Sequence, residues 1–96
     1  MHNSYVYIMS NKNRTTFYIG VTNDLRRRIA EHIQGIGSKF VEKYKLFDLV
    51  FYEHFNDINY AILREKQIKN WHREWKFKLI KKFNPGLKDL KVEILK

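Results

Sequence analysis

The sequence predicts an α+β fold, a small three-stranded and mainly antiparallel sheet flanked by helices in the order β-β-α-β-α-α. Two short segments rich in β-branched and aromatic residues stand near the start, and a third follows in mid-chain. Amphipathic segments with helical spacing come after the second and the third of these. A chain of 96 residues forms one domain, 1–96. We place its core at about 4–84 and a C-terminal tail at 85–96.

The first two strands are predicted at Tyr5–Met9 and Thr16–Val21, with a hairpin loop over 11–15 between them. Both strands are apolar on both faces, which is typical of strands covered by other elements on each side. The third strand is predicted at Leu49–Phe55, which is again rich in aromatic side chains.

The first helix is predicted to begin after Asp24, a good N-cap residue, and Gly35 and Gly37 can end it. Its apolar positions at helical spacing are Leu25, Ile29, Ile33 and Ile36. One more short turn of helix is expected within 38–44 before the third strand.

A second long helical region follows Asp57 and continues into a strongly basic helix, with a bend near Trp71. Its apolar positions are Ile58, Ala61, Ile62, Ile68, Trp71, Trp75, Leu79 and Phe83. Pro85 ends this region because it forces the preceding residue out of the helical conformation. The tail Leu87–Lys96 alternates weakly and is expected to be a short strand or a loop.

Charge is the unusual feature of the composition. Nineteen Lys and Arg against ten Asp and Glu give a net charge of +9, which indicates a polyanionic partner. The absence of Cys excludes disulfides, disulfide-linked partners, thiolate zinc sites and cysteine nucleophiles.

The remaining exclusions come from segment length and spacing. The longest apolar run has five residues, whereas a membrane helix needs about 20, so we expect no membrane association and a cytoplasmic location. The histidines share no metal-ligand spacing, so no site made of histidines alone is expected: they are His2, His32, His54 and His72.

Three polar residues fall where apolar ones are expected. On a helical wheel Glu65 lies in the middle of the apolar stripe formed by its neighbours, and Arg28 and His32 lie at the edge of the buried face of the first helix. A lone buried carboxylate is costly, so Glu65 must be paired, protonated or bound to a cation.

Each of these residues also has a purely structural interpretation. Glu65 could be the salt-bridge partner of an arginine at the edge of the core, and His32 a satisfied core histidine. Tyr5, Tyr7 and Tyr18 could pack on the strands, and the lysines of the last helix could form a solvated face.

Several segments together resemble the GIY-YIG nuclease domain, and within it the small stand-alone bacterial proteins of the UPF0213 type. The resemblance rests on Tyr5-Val6-Tyr7, Tyr18-Ile19-Gly20, Asp24–Arg28 with Glu31-His32, Arg64–Trp71 and Phe83-Asn84-Pro85. It covers nearly the whole chain. Tyr5 stands where the family has its first glycine, but the functional tyrosine of that triplet is kept at Tyr7.

The resemblance implies hydrolysis of phosphodiester bonds with one divalent cation, Mg²⁺ or Mn²⁺. It implies Glu65 as the metal ligand, Arg28 as the phosphate-binding residue and Tyr7 as the proton acceptor, with Tyr18 beside it. His32 is a second candidate for base or phosphate contact. Gly20 allows the turn from strand to helix, and Asn84 is either an accessory site residue or a cap of the helix end.

We therefore interpret the chain as a metal-dependent endonuclease that acts on nucleic acid, DNA rather than RNA, with little sequence specificity. Candidate contacts to the nucleic-acid backbone are Arg26, Arg27, Lys39, Lys43, Arg73 and Lys76. The alternative is a nucleic-acid-binding module with weak or no catalysis. Nothing in the sequence predicts the oligomeric state.

Overall fold

The computed structural model describes residues 3–96, so the parts of the predictions that concern Met1 and His2 lie outside the described residues. Eight elements follow one another along the described chain: β1 (Ser4–Ser10), β2 (Phe17–Thr22), α1 (Leu25–Ile33), α2 (Lys39–Tyr44), β3 (Asp48–Phe55), α3 (Ile58–Lys69), α4 (Arg73–Phe83) and α5 (Lys91–Leu95). No helix within residues 3–96 is long and apolar enough to cross a membrane.

The strands form one antiparallel sheet in the order β2-β1-β3, which confirms the predicted fold class. In the register of this sheet Tyr7 lies opposite Gly20 on β2 and opposite Tyr52 on β3. The central strand β1 thus carries Tyr7 into the middle of the sheet.

Both faces of the sheet are covered, as the apolar strands predict. On one face Val6 and Ile8 pack with Ala61 and Ile68 of α3 and with α4. On the other face Tyr7 and Met9 pack with α1, α2 and α5. Alternation of side chains along β1 therefore sends Tyr7 to the α1 side and its neighbours to the α3 side.

The helix starts follow from local capping. Asp24 accepts a hydrogen bond from the backbone N–H of Arg27, and Asp57 accepts one from the N–H of Asn59. The first helix ends at Ile33, just before Gly35, whose φ of 79° suits a helix end, and Ile36 lies beyond the helix and is 71% exposed. The predicted bend near Trp71 is a complete break between α3 and α4.

The tail differs from the prediction of a strand or loop, because residues Lys91–Leu95 form the helix α5. Leu90 and Ile94 pack against the α1 side of the core. The Nε and Nη2 atoms of Arg14, in the hairpin, donate to the Leu87 carbonyl at 3.1 and 3.0 Å, and its Nη1 forms an ion pair with Asp48 at 2.8 Å. These long-range contacts, rather than local propensity, hold the tail against the domain.

Candidate active site

A polar cluster lies between the sheet and α1. The Tyr7 hydroxyl oxygen on β1 is 2.8 Å from Nε2 of His32 on α1, and Nε of Arg28 donates to the same oxygen at 3.4 Å. The ring of Tyr18 on β2 completes the cluster, with its centroid 5.5 Å from that of His32 and 6.3 Å from that of Tyr7. We call these four residues the tyrosine–histidine cluster.

Gly20 leaves the space that the Tyr7 ring occupies. A Cβ atom on Gly20 would lie 2.5 Å from the Tyr7 hydroxyl oxygen, closer than any real contact. Since glycine has no Cβ, the ring of Tyr7 extends across β2 and reaches α1. The structure thus gives Gly20 a packing role directly beside the cluster.

Arg28 connects the cluster to the loop that follows α1. Its Nη1 pairs with Glu31 Oε1 at 3.1 Å, and its Nη2 donates to the Gly37 carbonyl at 2.9 Å. The Arg28 side chain keeps 29% of its surface exposed. Its guanidinium therefore joins the buried phenol to the surface.

Burial sets the protonation states of the cluster. It raises the pKa of Tyr7 to about 12, although the hydrogen bond from Arg28 acts in the opposite direction. Burial, and then the charge of Arg28, lowers the pKa of His32 to about 4. Burial disfavours the charge of Arg28 as well, but the hydrogen bonds to Tyr7 and Glu31 outweigh it and raise the pKa of the guanidinium. At neutral pH the cluster holds a cationic arginine, a neutral imidazole and a phenol.

Tyr7 and His32 have no exposed surface, so the cluster reaches solvent through Arg28 and Tyr18, which are partly exposed. A surface cleft of about 460 Å³ lies at this edge, between the start of α3 at Ile58 and the α1 residues Arg27, Arg28 and Glu31. An anion in this cleft meets the Arg28 guanidinium before any other member of the cluster.

Glu65 lies outside the tyrosine–histidine cluster. It is on α3, which packs on the sheet face opposite to Tyr7, and its neighbours Ala61 and Ile68 are fully buried. Its side chain is only 15% exposed, as the helical wheel predicted, and it forms an ion pair with Lys69 Nζ at 2.9 Å. The hydrogen bonds and ion pairs within residues 3–96 do not join Glu65 to the cluster, and the carboxylate that pairs with Arg28 is Glu31.

The fit of a divalent metal depends on this single carboxylate. The described part of the chain has no group of three or more His, Asp or Glu residues that could enclose a metal. Magnesium, however, retains several waters and is often held by one or two carboxylates together with substrate phosphates. Glu65 is a hard oxygen donor of this kind, partly buried on α3, so the donor chemistry fits a lightly held ion rather than a closed protein site.

Asn84 is buried at the end of α4, at 6% exposure. Its Nδ2 donates to the carbonyls of Val50 and Lys88 at 3.2 and 2.8 Å, and its Oδ1 accepts from the N–H of Lys88 at 3.2 Å. The side-chain amide is therefore fully engaged in tying the turn after α4 to β3.

The six basic residues predicted to contact nucleic acid divide between the two sides of the sheet. Those on α1 and α2 share the side of the cluster: Arg26, Arg27, Lys39 and Lys43. Arg73 and Lys76 are on α4, which packs on the other side. Arg26 also donates from Nη2 to the Leu95 carbonyl at 2.9 Å, which ties α1 to the tail.

Sequence reasoning gave no role to two residues that contact the cluster. Glu31 binds Arg28, and its spacing of three residues on a helix is the signal that could have identified it. Gly37 accepts from Arg28 through its backbone carbonyl, and a backbone contact of this kind leaves no trace in the residue type.

The sheet order and its flanking helices match the fold of a nuclease superfamily. The chain belongs to the family of the GIY-YIG catalytic domain, which its residues 3–84 match. Nucleases of this family generally use a divalent metal, and their substrate is nucleic acid.

Within this family the chain is similar to UPF0213 proteins of bacteria and archaea. It is 35% identical over 80 residues to one from Staphylococcus saprophyticus, which covers 83% of this chain and 96% of the relative. It is 37% identical over 76 residues to one from Natronomonas pharaonis, which covers 79% and 88% of the two chains. The solution NMR structure of the UPF0213 protein BH0048 from Bacillus halodurans superposes with a TM-score of 0.52 at 35% identity, over 81% of this chain and 82% of that one.

Proposed function

We propose that the protein is an endonuclease that hydrolyses phosphodiester bonds of nucleic acid, DNA rather than RNA, with a divalent metal ion and little sequence specificity. The observation that carries the proposal is the hydrogen-bonded set of Tyr7, Arg28 and His32, which brings a cation, a phenol and an imidazole together beside a surface cleft. Family membership supports the reaction class.

Arg28 is the residue that binds the scissile phosphate. Its planar guanidinium offers several donors, and three of them now meet Glu31, Gly37 and Tyr7. A phosphate in the adjacent cleft competes for these donors with a stronger negative charge than a carbonyl or a phenol offers. Arg28 then stabilises the charge that develops on the phosphate oxygens in the transition state.

Tyr7 acts as the base in its phenolate form: the phenol first loses its proton to solvent water, and the phenolate oxygen then accepts the proton of the attacking water, with Tyr18 beside it. Because burial raises the pKa of Tyr7 to about 12, the phenolate needs stabilisation before it can act as a base. Arg28 Nε–H supplies one hydrogen bond to its oxygen, and a neutral His32 supplies a second if its proton is on Nε2. A phosphate can take Nη1 and Nη2 of Arg28 from Glu31 and Gly37, so that Nε stays on the Tyr7 oxygen.

Glu65 would be the protein ligand for Mg²⁺ or Mn²⁺, and an ion held there would supply Lewis-acid charge to phosphate oxygens of the bound nucleic acid. The Glu65 carboxylate must leave Lys69, whose side chain is 51% exposed and is therefore easily replaced as a partner.

The basic residues on the cluster side supply affinity. Arg26, Arg27, Lys39 and Lys43 are exposed, and Arg73 and Lys76 extend the positive charge to the α4 side. Contacts of lysine and arginine to the phosphate backbone do not read sequence and weaken steeply with salt. A cleavage activity with little sequence preference follows.

The test is cleavage of single-stranded, duplex and branched DNA, and of RNA, with and without Mg²⁺ or Mn²⁺. Arg28→Ala and Glu65→Gln are expected to abolish metal-dependent cutting while the fold and most of the binding persist. Lys12→Ala and Glu74→Gln, exposed residues outside the site, are the matched controls and retain full activity. Absence of metal-dependent cutting of every substrate, or equal cutting by the two site variants, refutes the proposal.

A nucleic-acid-binding module without catalysis is the second candidate. Two observations favour it: Tyr7 has no exposed surface, and Glu65 is ion-paired with Lys69. This candidate predicts binding to DNA that falls with salt but does not respond to Mg²⁺ or to Glu65→Gln, together with no cleavage. Equilibrium binding measured by fluorescence anisotropy separates the two.

A further inference from the structure

The short helix α2 exposes two aromatic side chains. Phe40 and Tyr44 each keep 45% of their surface exposed, whereas Val41 is the buried residue of this helix. The two aromatic residues stand four positions apart, so they lie on the same side of the helix, and their ring centroids are 4.8 Å apart. Burial in the core therefore does not explain why α2 carries two adjoining rings.

This aromatic pair adjoins the tyrosine–histidine cluster. The ring centroid of Phe40 lies 6.3 Å from that of Tyr18. The Tyr18 centroid in turn lies 5.5 Å from that of His32 and 6.3 Å from that of Tyr7. The rings thus form one continuous series from the buried phenol of Tyr7 to the exposed ring of Tyr44.

The loop that leads into α2 is anchored on the same cluster. The Gly37 carbonyl accepts from Arg28 Nη2 at 2.9 Å, three residues before Phe40. A Cβ atom on Gly37 would lie 2.5 Å from His32 Nδ1, so the backbone of the loop packs directly on this ring. Because three residues span at most about 11 Å, Phe40 lies within a few nucleotides of any phosphate that Arg28 binds.

The charge of this segment suits a nucleic acid. Each of the two rings directly follows a lysine, and Lys43 Nζ lies 5.3 Å from the centroid of the Tyr44 ring. Basic side chains interleaved with aromatic rings are typical of proteins that bind single strands, because the basic groups contact phosphates while the rings stack on bases. Residues 38–45 contain three exposed lysines and one exposed glutamate: Lys39, Lys43, Lys45 and Glu42.

From this geometry we propose that Phe40 and Tyr44 form a stacking surface for unpaired bases, next to the phosphate that Arg28 binds. The inference deepens the proposed function and rests on it, since it names the substrate class as single-stranded DNA or DNA with unpaired bases beside the cut. The bases of a duplex present their faces to one another, so a duplex gains nothing from these rings. Every base has an aromatic face, which agrees with little sequence preference.

The first experiment measures binding without cleavage. Fluorescence anisotropy in EDTA gives the affinity for a labelled single strand and for the matching duplex. Phe40→Leu and Tyr44→Leu keep an apolar side chain but remove the ring, so each should weaken single-strand binding about 5- to 50-fold and duplex binding less than about twofold. Tyr44→Phe, which keeps the ring, should bind as the wild type does. Equal losses for single strand and duplex overturn the proposal.

Two further variants separate stacking from charge and from exposed aromatic residues in general. Tyr60 is 64% exposed on α3, which packs on the other face of the sheet, so Tyr60→Leu should leave both affinities unchanged. Lys39→Gln should weaken single strand and duplex alike and reduce the salt dependence, whereas Tyr44→Leu should not change the salt dependence. If Tyr60→Leu weakens single-strand binding as much as Tyr44→Leu does, the proposal is wrong.

A strand without bases tests the contact from the side of the DNA. An abasic strand has the same length and charge, so the wild type should bind it about 5- to 50-fold more weakly than the strand with bases. In the double variant Phe40→Leu/Tyr44→Leu this difference should shrink to less than about threefold, because the rings and the bases depend on one another. The same difference in both proteins contradicts the proposal.

Stability and association are measured on the same variants. Phe40 packs on Tyr18, so urea unfolding checks whether Phe40→Leu still folds. If it does not, Tyr44→Leu decides the question, because the ring of Tyr44 contacts Phe40 rather than the cluster. Sedimentation velocity tests whether a second copy of the chain occupies the patch instead. Variants that change the sedimentation but not the affinity for single strands overturn the proposal.

Cleavage with Mg²⁺ or Mn²⁺ relates this surface to the proposed function. The wild type should cut single strands, and duplexes with an unpaired segment, faster than a perfect duplex, and the double variant should lose this preference. A protein that cuts nothing, but whose single-strand binding depends on the two rings, refutes the proposed function alone. A protein that cuts single strand and perfect duplex equally, with or without the rings, refutes this inference alone.

Discussion

The two faces of the sheet bury different kinds of side chain. On the α3 side the core is an apolar cluster that includes Val6, Ile8 and Ile68, and the carboxylate of Glu65 lies beside it with a lysine as its partner. On the α1 side a phenol and an imidazole are fully buried and lie within hydrogen-bond distance of one another, with Arg28 at their edge, while Nδ1 of the imidazole has no partner among residues 3–96.

The two faces of the sheet differ in how firmly they hold their buried polar side chains. Buried polar groups are tolerated only when they are hydrogen-bonded, and a connected set has one favoured geometry. The α1 side therefore holds Tyr7 and His32 rigidly, with both pKa values far from ordinary. The α3 side holds Glu65 by a single pair to a half-exposed lysine, which an incoming ligand can replace.

The largest expected effect comes from Tyr7→Phe, which removes the hydroxyl at the centre of the α1-side set. Loss of the proton acceptor should lower the single-turnover cleavage rate by about 10² to 10⁴ while DNA affinity stays the same. Leaving His32 Nε2 buried without a partner should also lower the free energy of unfolding by about 1–3 kcal/mol. Rapid-quench cleavage and urea unfolding measure the two effects.

Tyr52→Phe is the matched control for this change. Tyr52 lies opposite Tyr7 on β3 and packs against Phe83, so its replacement alters the same sheet face without removing a hydrogen bond of the cluster. If Tyr52→Phe and Tyr7→Phe reduce the cleavage rate equally, the effect belongs to the sheet and Tyr7 is not the base.

The next effect is a pH dependence of stability that belongs to the α1 side. The pKa of His32 is about 4 in the folded protein and about 6.5 when unfolded, so the unfolded chain binds the extra proton between these values. Stability is complete above about pH 6.5 and falls as the pH drops toward 4, by about 3 kcal/mol. Urea unfolding at pH 7, 5.5 and 4.5 measures this loss.

His32→Gln removes the ring and should flatten the pH dependence in that window. Asp89 contributes in a lower window: hydrogen bonds from Lys91 and Leu49 lower its pKa despite burial, so its stabilisation disappears only below about pH 4. An unchanged slope between pH 6.5 and 4.5 in His32→Gln would show that another group is responsible.

Asn84 belongs either to the candidate active site or to the structural contacts that hold the turn after α4. All three of its side-chain hydrogen bonds hold the turn after α4, so Asn84→Ala should lower the free energy of unfolding by about 2–3 kcal/mol. With the protein kept well below its unfolding temperature, kcat should stay within about threefold of the wild type. Asn13→Ala, on the exposed hairpin, is the control. A large loss of kcat with unchanged stability would instead identify Asn84 as an accessory site residue.

Periodicity predicted the inward polar residues, because helix geometry alone fixes which residues share a face. Arg28 and His32 stand at the buried edge of α1 as the spacing requires, and Glu65 is 15% exposed between Ala61 and Ile68. The three strands followed from local patterns as well, whereas the bend predicted near Trp71 is a complete break between two helices.

Long-range choices were not predictable in this way. Arg28 could have paired with Glu65 or with Glu31, and only the packing of the helices determines that it meets Glu31. The tail before α5 is held by Arg14, whose Nε and Nη2 donate to the Leu87 carbonyl 73 residues further along the chain. The closeness of Gly37 to His32 is a property of a loop conformation, which has no periodic signal.

The smallest expected effect concerns the pair on the α3 side. The ion pair between Lys69 and Glu65 joins a 51% exposed side chain to a 15% exposed one, so Lys69→Ala should lower the free energy of unfolding by at most about 1 kcal/mol.

If Glu65 holds the metal ion, Lys69 competes with the ion for the Glu65 carboxylate. Lys69→Ala should then lower the Mg²⁺ concentration for half-maximal cleavage by about two- to fivefold, since an exposed pair contributes a fraction of a kcal/mol. Lys66→Ala, an exposed lysine of α3 without an ion pair to Glu65, controls for the lost charge. If Lys69→Ala is as inactive as Glu65→Gln, the pair itself is required, and the two faces of the sheet differ less in rigidity than their contacts indicate.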